Sequence, residues 1–414
     1  MSYTLSEQKT VDFLKKLIAI PSTRGNEGPA ALLAQAAFND LGVTTSLIPI
    51  TDELMQDPDY AFPLPDFKYV NSYNVECLIE GQDTSRNIVF NTHLDVVPPS
   101  EGQERAYQAD IHDGVLFGRG ACDAKGMIAV LHALASYYRD RGIRPPCNLV
   151  FHLVVEEENG GNGTLAMVRR GVNADAVVVL ESSELSIYAA VRGAVWFTVE
   201  VYGKATHSGN VTSRVSAIEK AYQVIEIFQH YHDRLLASSR GLELFDVYDD
   251  PMPLTIGQIE AGVWPASVPN LAILKGLLGF LPNMTREQVQ AGLRASIETE
   301  GDDWLKENYK LEFNMLNNNG NSLATDHPLV LSLSKSLKGL GIQPQIKAMV
   351  AACDAWQYSA LGIPTIVFGP GSIMHAHSKE EQIRIDDIFL AAKVLAGLVE
   401  NYIEFAPEHD KEKE

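Results

Sequence analysis

Ile88-Val89-Phe90-Asn91-Thr92-His93-Leu94-Asp95 is an apolar run that ends in an imidazole and a carboxylate. The pattern recurs along the chain. Leu149-Val150-Phe151 begins a run that leads to Glu156-Glu157-Glu158, and Val177-Val178-Val179-Leu180 leads to Glu181. Thr365-Ile366-Val367-Phe368 leads through Gly369-Pro370-Gly371 to His375 and His377. Short apolar runs of this kind read as strands covered on both faces, the mark of a parallel sheet. In open α/β sheets the ligand crevice lies beyond the carboxyl ends of the strands. Carboxylates and imidazoles gathered there are the donors a divalent metal site requires.

Between 72 and 190 strand and helix alternate. A long helix after Asp123 carries Met127, Leu131, Leu134 and Tyr138 on one stripe, and another covers about Thr164 to Arg170. Upstream, Thr4 and Glu7 form a capping box for a helix whose face is Val11, Leu14, Leu17 and Ile18, ended by Pro21. A second helix runs from about Ala30 to Leu41 and stops at Gly42. Residues 51–70 hold acids, aromatics and prolines without a period and read as a surface insertion near the site mouth. The middle differs: strand Ala194–Tyr202, helix Ser213–Leu235, strands Pro253–Glu260 and Leu271–Leu281, helix Thr285–Glu300, strand Lys310–Met315. That βαββαβ order is ferredoxin-like. The α/β pattern resumes with helix Pro328–Lys338, strand Pro364–Phe368 and helix Ile385–Tyr402. The expectation is an α/β catalytic domain, mainly parallel sheet flanked by helices, from residues 1–190 and 318–414, with an α+β domain inserted at 191–317.

A chain of 414 residues exceeds one simple core, which suits this division. The net charge of −20 argues against nucleic acid and anionic membrane surfaces as partners. No apolar run approaches the roughly 20 residues that span a bilayer, and the polar start Met1–Glu7 lacks signal-peptide character. Cys77, Cys122, Cys147 and Cys353 are far apart and form no CxxC pair, so free thiols in a cytoplasmic protein are expected.

Each candidate has a bland reading beside a chemical one. His93 and Asp95, two apart in extended chain, face the same way, as a metal ligand and its support or as a solvated strand end. Asp123 lies between a glycine turn and a helix start, where an ordinary N-cap is the simple reading. Gly118-Arg119-Gly120 also suggests a dinucleotide loop, yet the third glycine position is Asp123. Glu156-Glu157-Glu158 repel one another unless a cation or proton compensates; the alternative is a solvated acidic loop. In the chemical reading one glutamate binds metal and its neighbour shuttles protons. Glu181 ends a buried strand, an odd place for an unpaired carboxylate. His207 in Gly203-Lys204-Ala205-Thr206-His207-Ser208 is a surface histidine or a group that polarises substrate across a domain or subunit boundary. His132 and His152 read as structural.

Taken together, these stretches resemble the dinuclear zinc peptidases and deacylases that include acetylornithine deacetylase, succinyl-diaminopimelate desuccinylase, aminoacylase and carboxypeptidase G. The matching segments are His93–Pro98, Gly118–Gly126, Glu157–Thr164, Glu181, Gly203–Ser208 and Gly369–His377. The resemblance implies two zinc ions, with cobalt as a possible substitute. It implies that His93, Asp123, Glu158, Glu181 and His377 are metal ligands, with Asp123 as the bridge. It makes Glu157 the general base and later acid, Asp95 the support of His93, and His207 the group that reaches the substrate carbonyl, commonly from the partner subunit. His377 is preferred over His375 because Ala376-His377 followed by Glu380 matches the family's closing motif. A small N-acyl amino acid or peptide substrate and a homodimer follow from the same resemblance.

Two departures bear on substrate. The family's carboxylate-binding arginine has no counterpart in Leu277–Pro282, and Trp356 stands where a second arginine often follows an aspartate such as Asp354. Arg192 or Arg214 are possible substitutes. Acetylornithine-like deacetylation is the first expectation, succinyl-diaminopimelate second, a dipeptide third. A metal-binding protein without turnover, or a hydrolase using Cys122 or Cys353, are the competing classes.

Overall fold

The computed structural model describes residues 4–64, 66–206 and 214–405. The larger sheet runs in the spatial order Thr44–Pro49, Tyr73–Ile79, Cys147–Val154, Asp83–His93, Ala176–Val179, Thr365–Val367, Ile187–Val191, Asn321–Ser322, with Ile346–Met349 also paired to Ile187–Val191. Its four central strands, Cys147–Val154 through Thr365–Val367, are parallel and in near-continuous register, such as His93 opposite Val154 and Asn91 opposite Val179. The flanking strands run antiparallel. This is the expected sheet, parallel where both faces are covered and antiparallel toward its edges.

Helix Lys125–Arg141 lies on the sheet between helix Leu5–Ile18 and helix Ile385–Phe405. That position explains why it is buried all round, from Met127 to Leu134, rather than along one stripe. The Thr4–Glu7 capping box forms, and Gly42 and Gly142 adopt the left-handed backbone expected just past helix ends. His132 bonds Thr10 Oγ1 at 2.8 Å and His152 bonds the Tyr358 hydroxyl at 2.9 Å, both buried and structural as expected.

The second sheet takes the order Leu254–Ala261, Leu271–Phe280, Gly193–Tyr202, Tyr309–Glu312, all antiparallel, with Asn317–Asn318 added beside Gly193–Tyr202. Helices Ala217–Ser238 and Arg286–Glu300 cover one face, the second opened by a Thr285–Gln288 capping box. Val195, Phe197, Val199 and Val201 alternate inward against Val224, Phe228, Leu293 and Ile297, a core separate from that of the larger sheet. The βαββαβ succession is therefore present, with one short extra helix, Asp303–Glu307, that the periodicity did not announce.

The 51–70 segment straps the two sheets together. Asp57 and Asp59 pair with Arg169, and Asp59 also meets Arg286 of the second layer. Phe62 packs edge-on against Trp196 with centroids 5.3 Å apart. Beneath the strap, Glu156 is fully buried. Arg24 Nε donates to its Oε1 at 3.0 Å, and Tyr69 Oη and Asn162 Nδ2 donate to its Oε2 at 2.7 Å each. Breaking one partner of a buried pair leaves an uncompensated charge, at a cost of about 3–5 kcal/mol. Arg24→Leu is therefore expected to lower unfolding free energy by about 3 kcal/mol in urea titration; a change under about 0.5 kcal/mol contradicts a structural role for Glu156.

Candidate metal centre

The parallel register brings strand ends into one row, and the chemistry-bearing residues follow from it. His93 ends its strand, Glu156–Glu158 follow Val154, Glu181 follows Leu180, and the loop after Thr365–Val367 returns His377. Asp123 enters from the side at the foot of helix Lys125–Arg141. It does not cap that helix. Ala124 is the N-cap and makes no side-chain cap bond.

The Asp123 carboxylate lies between two imidazoles. Its Oδ1 is 3.0 Å from His93 Nε2, and its Oδ2 is 3.2 Å from His377 Nε2. His377 Nε2 is also 2.9 Å from Glu158 Oε2, and His93 Nε2 is 3.9 Å from Glu181 Oε1. Donor atoms of His93, Asp123 and Glu158 lie within 4.8 Å of one another, as do those of His93, Glu157 and Glu181. Ligands sharing one ion at about 2.0–2.2 Å in a tetrahedron stand roughly 3.4 Å apart, so these spacings fit cations. All five expected ligands and Glu157 therefore meet in one place, with Asp123 at the centre. His375 instead lines a separate cavity with Glu184 and Arg384. His207 lies outside the described residues.

Electrostatics point the same way. Burial pushes the carboxyls of Glu157 and Glu181 well above the usual range, and it raises Glu158, with neighbouring acids adding to the effect. His93 is also raised: bonds to Asp123 and Asp95 overcome its own burial. His377 rises to about 10 through its bonds to Asp123 and Glu158. Asp123 alone among the acids is held low, through the two imidazoles, against its own burial. Acids reluctant to ionise beside histidines eager to protonate describe a site with surplus negative charge, which a divalent cation relieves.

A surrounding layer fixes these groups. His93 Nδ1 is 3.0 Å from the Asp95 carbonyl and 3.4 Å from Asp95 Oδ1. The Asp95 carboxylate also accepts the Glu157 and Glu158 backbone N–H groups at 3.2 and 3.1 Å. Asp95 thus ties the histidine to the glutamate loop. Sequence reasoning missed Glu381. Its Oε1 accepts the N–H groups of Gly120, Asp123 and Cys122 at 2.8, 3.2 and 3.3 Å, and its Oε2 pairs with Arg119. Arg119 donates to Ser100 Oγ, which donates to the His377 carbonyl at 2.8 Å. One buried ion pair therefore positions both Asp123 and His377. The closing motif had pointed to Glu380, which is exposed. Asp354 is buried and accepts from Thr164 Oγ1 at 2.6 Å, and burial raises its carboxyl to about 6.

The possible carboxylate grips fare differently. Arg192 is buried, with Nε donating to the Val350 carbonyl and Nη1 to the Gly193 carbonyl, so it is tied to backbone. Arg214 is exposed. Burial raises the thiols of Cys122 and Cys353, which makes both poor nucleophiles.

Residues 89–401 match the sequence pattern of Peptidase family M20/M25/M40. This chain belongs to that family. It is 28% identical over 366 residues to N-formyl-4-amino-5-aminomethyl-2-methylpyrimidine deformylase of Bacillus subtilis, covering 80% of this chain and 83% of the relative. It is 27% identical over 316 residues to acetylornithine deacetylase of Myxococcus xanthus, covering 75% and 78%. A Staphylococcus aureus tripeptidase shares the fold with a TM-score of 0.75 at 18% identity, covering 96% of this chain and 99% of that one. A Bacillus subtilis dinuclear metal-binding peptidase of family M20 superposes with a TM-score of 0.68 at 15% identity over 97% and 99%. The chain is a hydrolase of amide bonds. Among the described residues no helix is long and apolar enough to cross a membrane.

Glu27, below Asp95, offers a pH test. Its carboxylate is buried, and burial together with the negative charge of Asp95 raises its carboxyl to about 8, against the weaker opposing pull of the Glu27 and Gly25 backbone N–H groups. The folded chain therefore binds this proton more tightly than the unfolded chain, so the contribution is full below about pH 4.5 and is lost as pH rises toward 8. Glu27→Gln is expected to stabilise by on the order of 2 kcal/mol at pH 8 and to be near neutral at pH 5. Equal shifts in melting temperature at both pH values contradict this.

Proposed function

We propose that this chain is a metal-dependent amidohydrolase that removes a small acyl group from an N-acyl amino acid, with acetylornithine-like deacetylation as the best single assignment. The observation that carries the reading is the convergence of His93, Asp123, Glu158, Glu181 and His377 on one acidic cluster with Glu157 beside it. Two imidazoles and three carboxylates are a donor set suited to two zinc ions, with cobalt as substitute. Asp123 presents one oxygen to each histidine and is the natural bridge. The chemistry zinc supplies in such sites is polarisation of an acyl carbonyl and activation of water near neutral pH.

The chain's own groups do the rest. Glu157 takes the proton of the attacking water and returns it to the leaving amine. Its burial suits a carboxyl that must hold a proton at neutral pH and release it. Donor atoms of Glu157, His93 and Glu181 lie within 4.8 Å of one another, so Glu157 stands within reach of a water held at that position. Asp95 keeps Glu157 and His93 in register through the bonds described above. His207 is assigned the developing oxyanion, from the partner subunit.

The inserted layer, residues 191–317, acts in this reading as lid and dimerisation domain. Among the described residues its edge strand Leu254–Ala261 is paired on one side alone and is largely exposed, and Ile218, Tyr222, Val263 and Trp264 are exposed nearby. An apolar, unpaired edge is an association surface that a two-fold partner would cover. The free buried thiols suit a reducing cytoplasm.

Removal of a formyl group is the second reading, favoured by the identity to the pyrimidine deformylase and by Trp356 in place of a carboxylate-binding arginine. Succinyl-diaminopimelate and dipeptides rank below both.

Glu157→Gln is expected to keep two zinc ions per chain and the wild-type melting temperature while kcat for N-acetyl amino acids falls at least about 100-fold; kcat within about threefold of wild type overturns the assignment. Replacing Trp264 and Ile259 by aspartate and lysine is expected to convert a sedimenting dimer to monomer. A wild-type monomer at micromolar concentration contradicts the dimer.

A further inference from the structure

We infer that Lys125 is a positioning residue for His93 and the glutamate loop: its buried side chain holds residues 17–22 in place, and Ser22 in turn holds Asp95. This rests on the amidohydrolase reading, in which Asp95 keeps His93 and Glu157 in register. Lys125 opens helix Lys125–Arg141, two positions after Asp123, and has no exposed surface. Its Nζ donates to the Leu17 carbonyl at 2.9 Å and to the Ile20 carbonyl at 2.6 Å. Both acceptors lie at the C-terminal end of helix Leu5–Ile18, where carbonyls run short of helical donors and carry the negative end of the dipole. Lysine is almost never fully buried unless it is paired in this way.

The path from these carbonyls leads to the site. The Ile20 carbonyl that Lys125 holds also accepts the Ser22 backbone N–H at 2.9 Å. Ser22 Oγ donates to the Leu94 carbonyl at 2.7 Å, and the Ser22 carbonyl accepts the Val96 N–H at 3.0 Å. Ser22 therefore grips the chain on both sides of Asp95. That grip reaches His93 directly, because His93 Nδ1 lies 3.0 Å from the Asp95 carbonyl. It reaches Glu157 and Glu158 through their N–H bonds to the Asp95 carboxylate. On its other side the lysine stem packs on Gly120, where a Cβ would stand 2.9 Å from Lys125 Cδ and 2.8 Å from Val96 Cγ1. Gly120 N–H donates to Glu381, which gathers the Asp123 loop. One side chain thus braces the Asp95 turn against the Asp123 loop. Its charge faces Glu381 and Asp95.

Lys125→Met keeps the stem and removes the donor. Zinc affinity, read by calorimetry on the chelator-stripped full chain, is expected to fall about 10–100-fold. In the zinc-saturated variant, kcat for N-acetyl amino acids is expected to fall about tenfold or more with KM little changed. Ser22→Ala cuts the path one step nearer the site and is expected to show the same pattern. The double variant is expected to lose less than the product of the two single losses, because both act through Asp95. Losses that multiply overturn the path through Ser22. A lysine that serves only the fold would lower the melting temperature and leave zinc affinity and kcat per zinc-loaded chain unchanged. That result in both variants overturns the inference and leaves the deacylase reading standing. Where Lys125→Met does not fold, Ser22→Ala decides on the same readouts. Weakened zinc binding in these variants, beside a wild type that hydrolyses no N-acyl amino acid, supports the positioning role and overturns the deacylase reading.

Discussion

Like-charge repulsion at the carboxyl ends of the central strands is the constraint around which this molecule is organised. Glu157, Glu158, Glu181 and Asp123 are drawn out of water into one cluster, and only cations or protons can discharge it. The two histidines on either side of Asp123 do part of that work. Without counter-charge the arrangement is costly, because desolvated carboxylates resist ionisation. Imidazolium, a proton or a divalent cation each relieves it, and the divalent cation does so most strongly.

The parallel sheet supplies the precision. Four adjacent strands in register present their ends a few ångströms apart, so residues nearly three hundred positions apart meet without long loops. A ring of hydrogen bonds then holds each group. Asp95 gathers the glutamate loop to His93, and Glu381 gathers the Asp123 loop while Arg119 and Ser100 pass the restraint to His377. The second sheet closes the space from above: Leu316 and Asn318 reach the cavity that Glu157 lines.

Much of this was legible in the sequence because buried strands and metal donors both leave strong local signals. Apolar runs ending near His93, Glu158 and Glu181 marked the strands and put these donor residues at their ends, and the change of pattern after 191 accompanied the start of the second sheet. What escaped was long-range pairing. The resemblance set Glu156 apart from the functional pair Glu157 and Glu158, but nothing local announced that Arg24, Tyr69 and Asn162, up to 132 positions away, take it into the core. Glu381 carried no local mark because its partners are backbone N–H groups of a loop some 260 positions earlier. Asp123 satisfied every local rule for a helix cap, and only the geometry shows its carboxylate turned to the imidazoles instead.

The most direct test is anomalous diffraction at the zinc edge from crystals grown with zinc. The account predicts two peaks flanking the Asp123 carboxylate, about 3.5–4 Å apart, one beside His93 and Glu181 and the other beside His377 and Glu158. Full occupancy elsewhere with no density at Asp123 would contradict it.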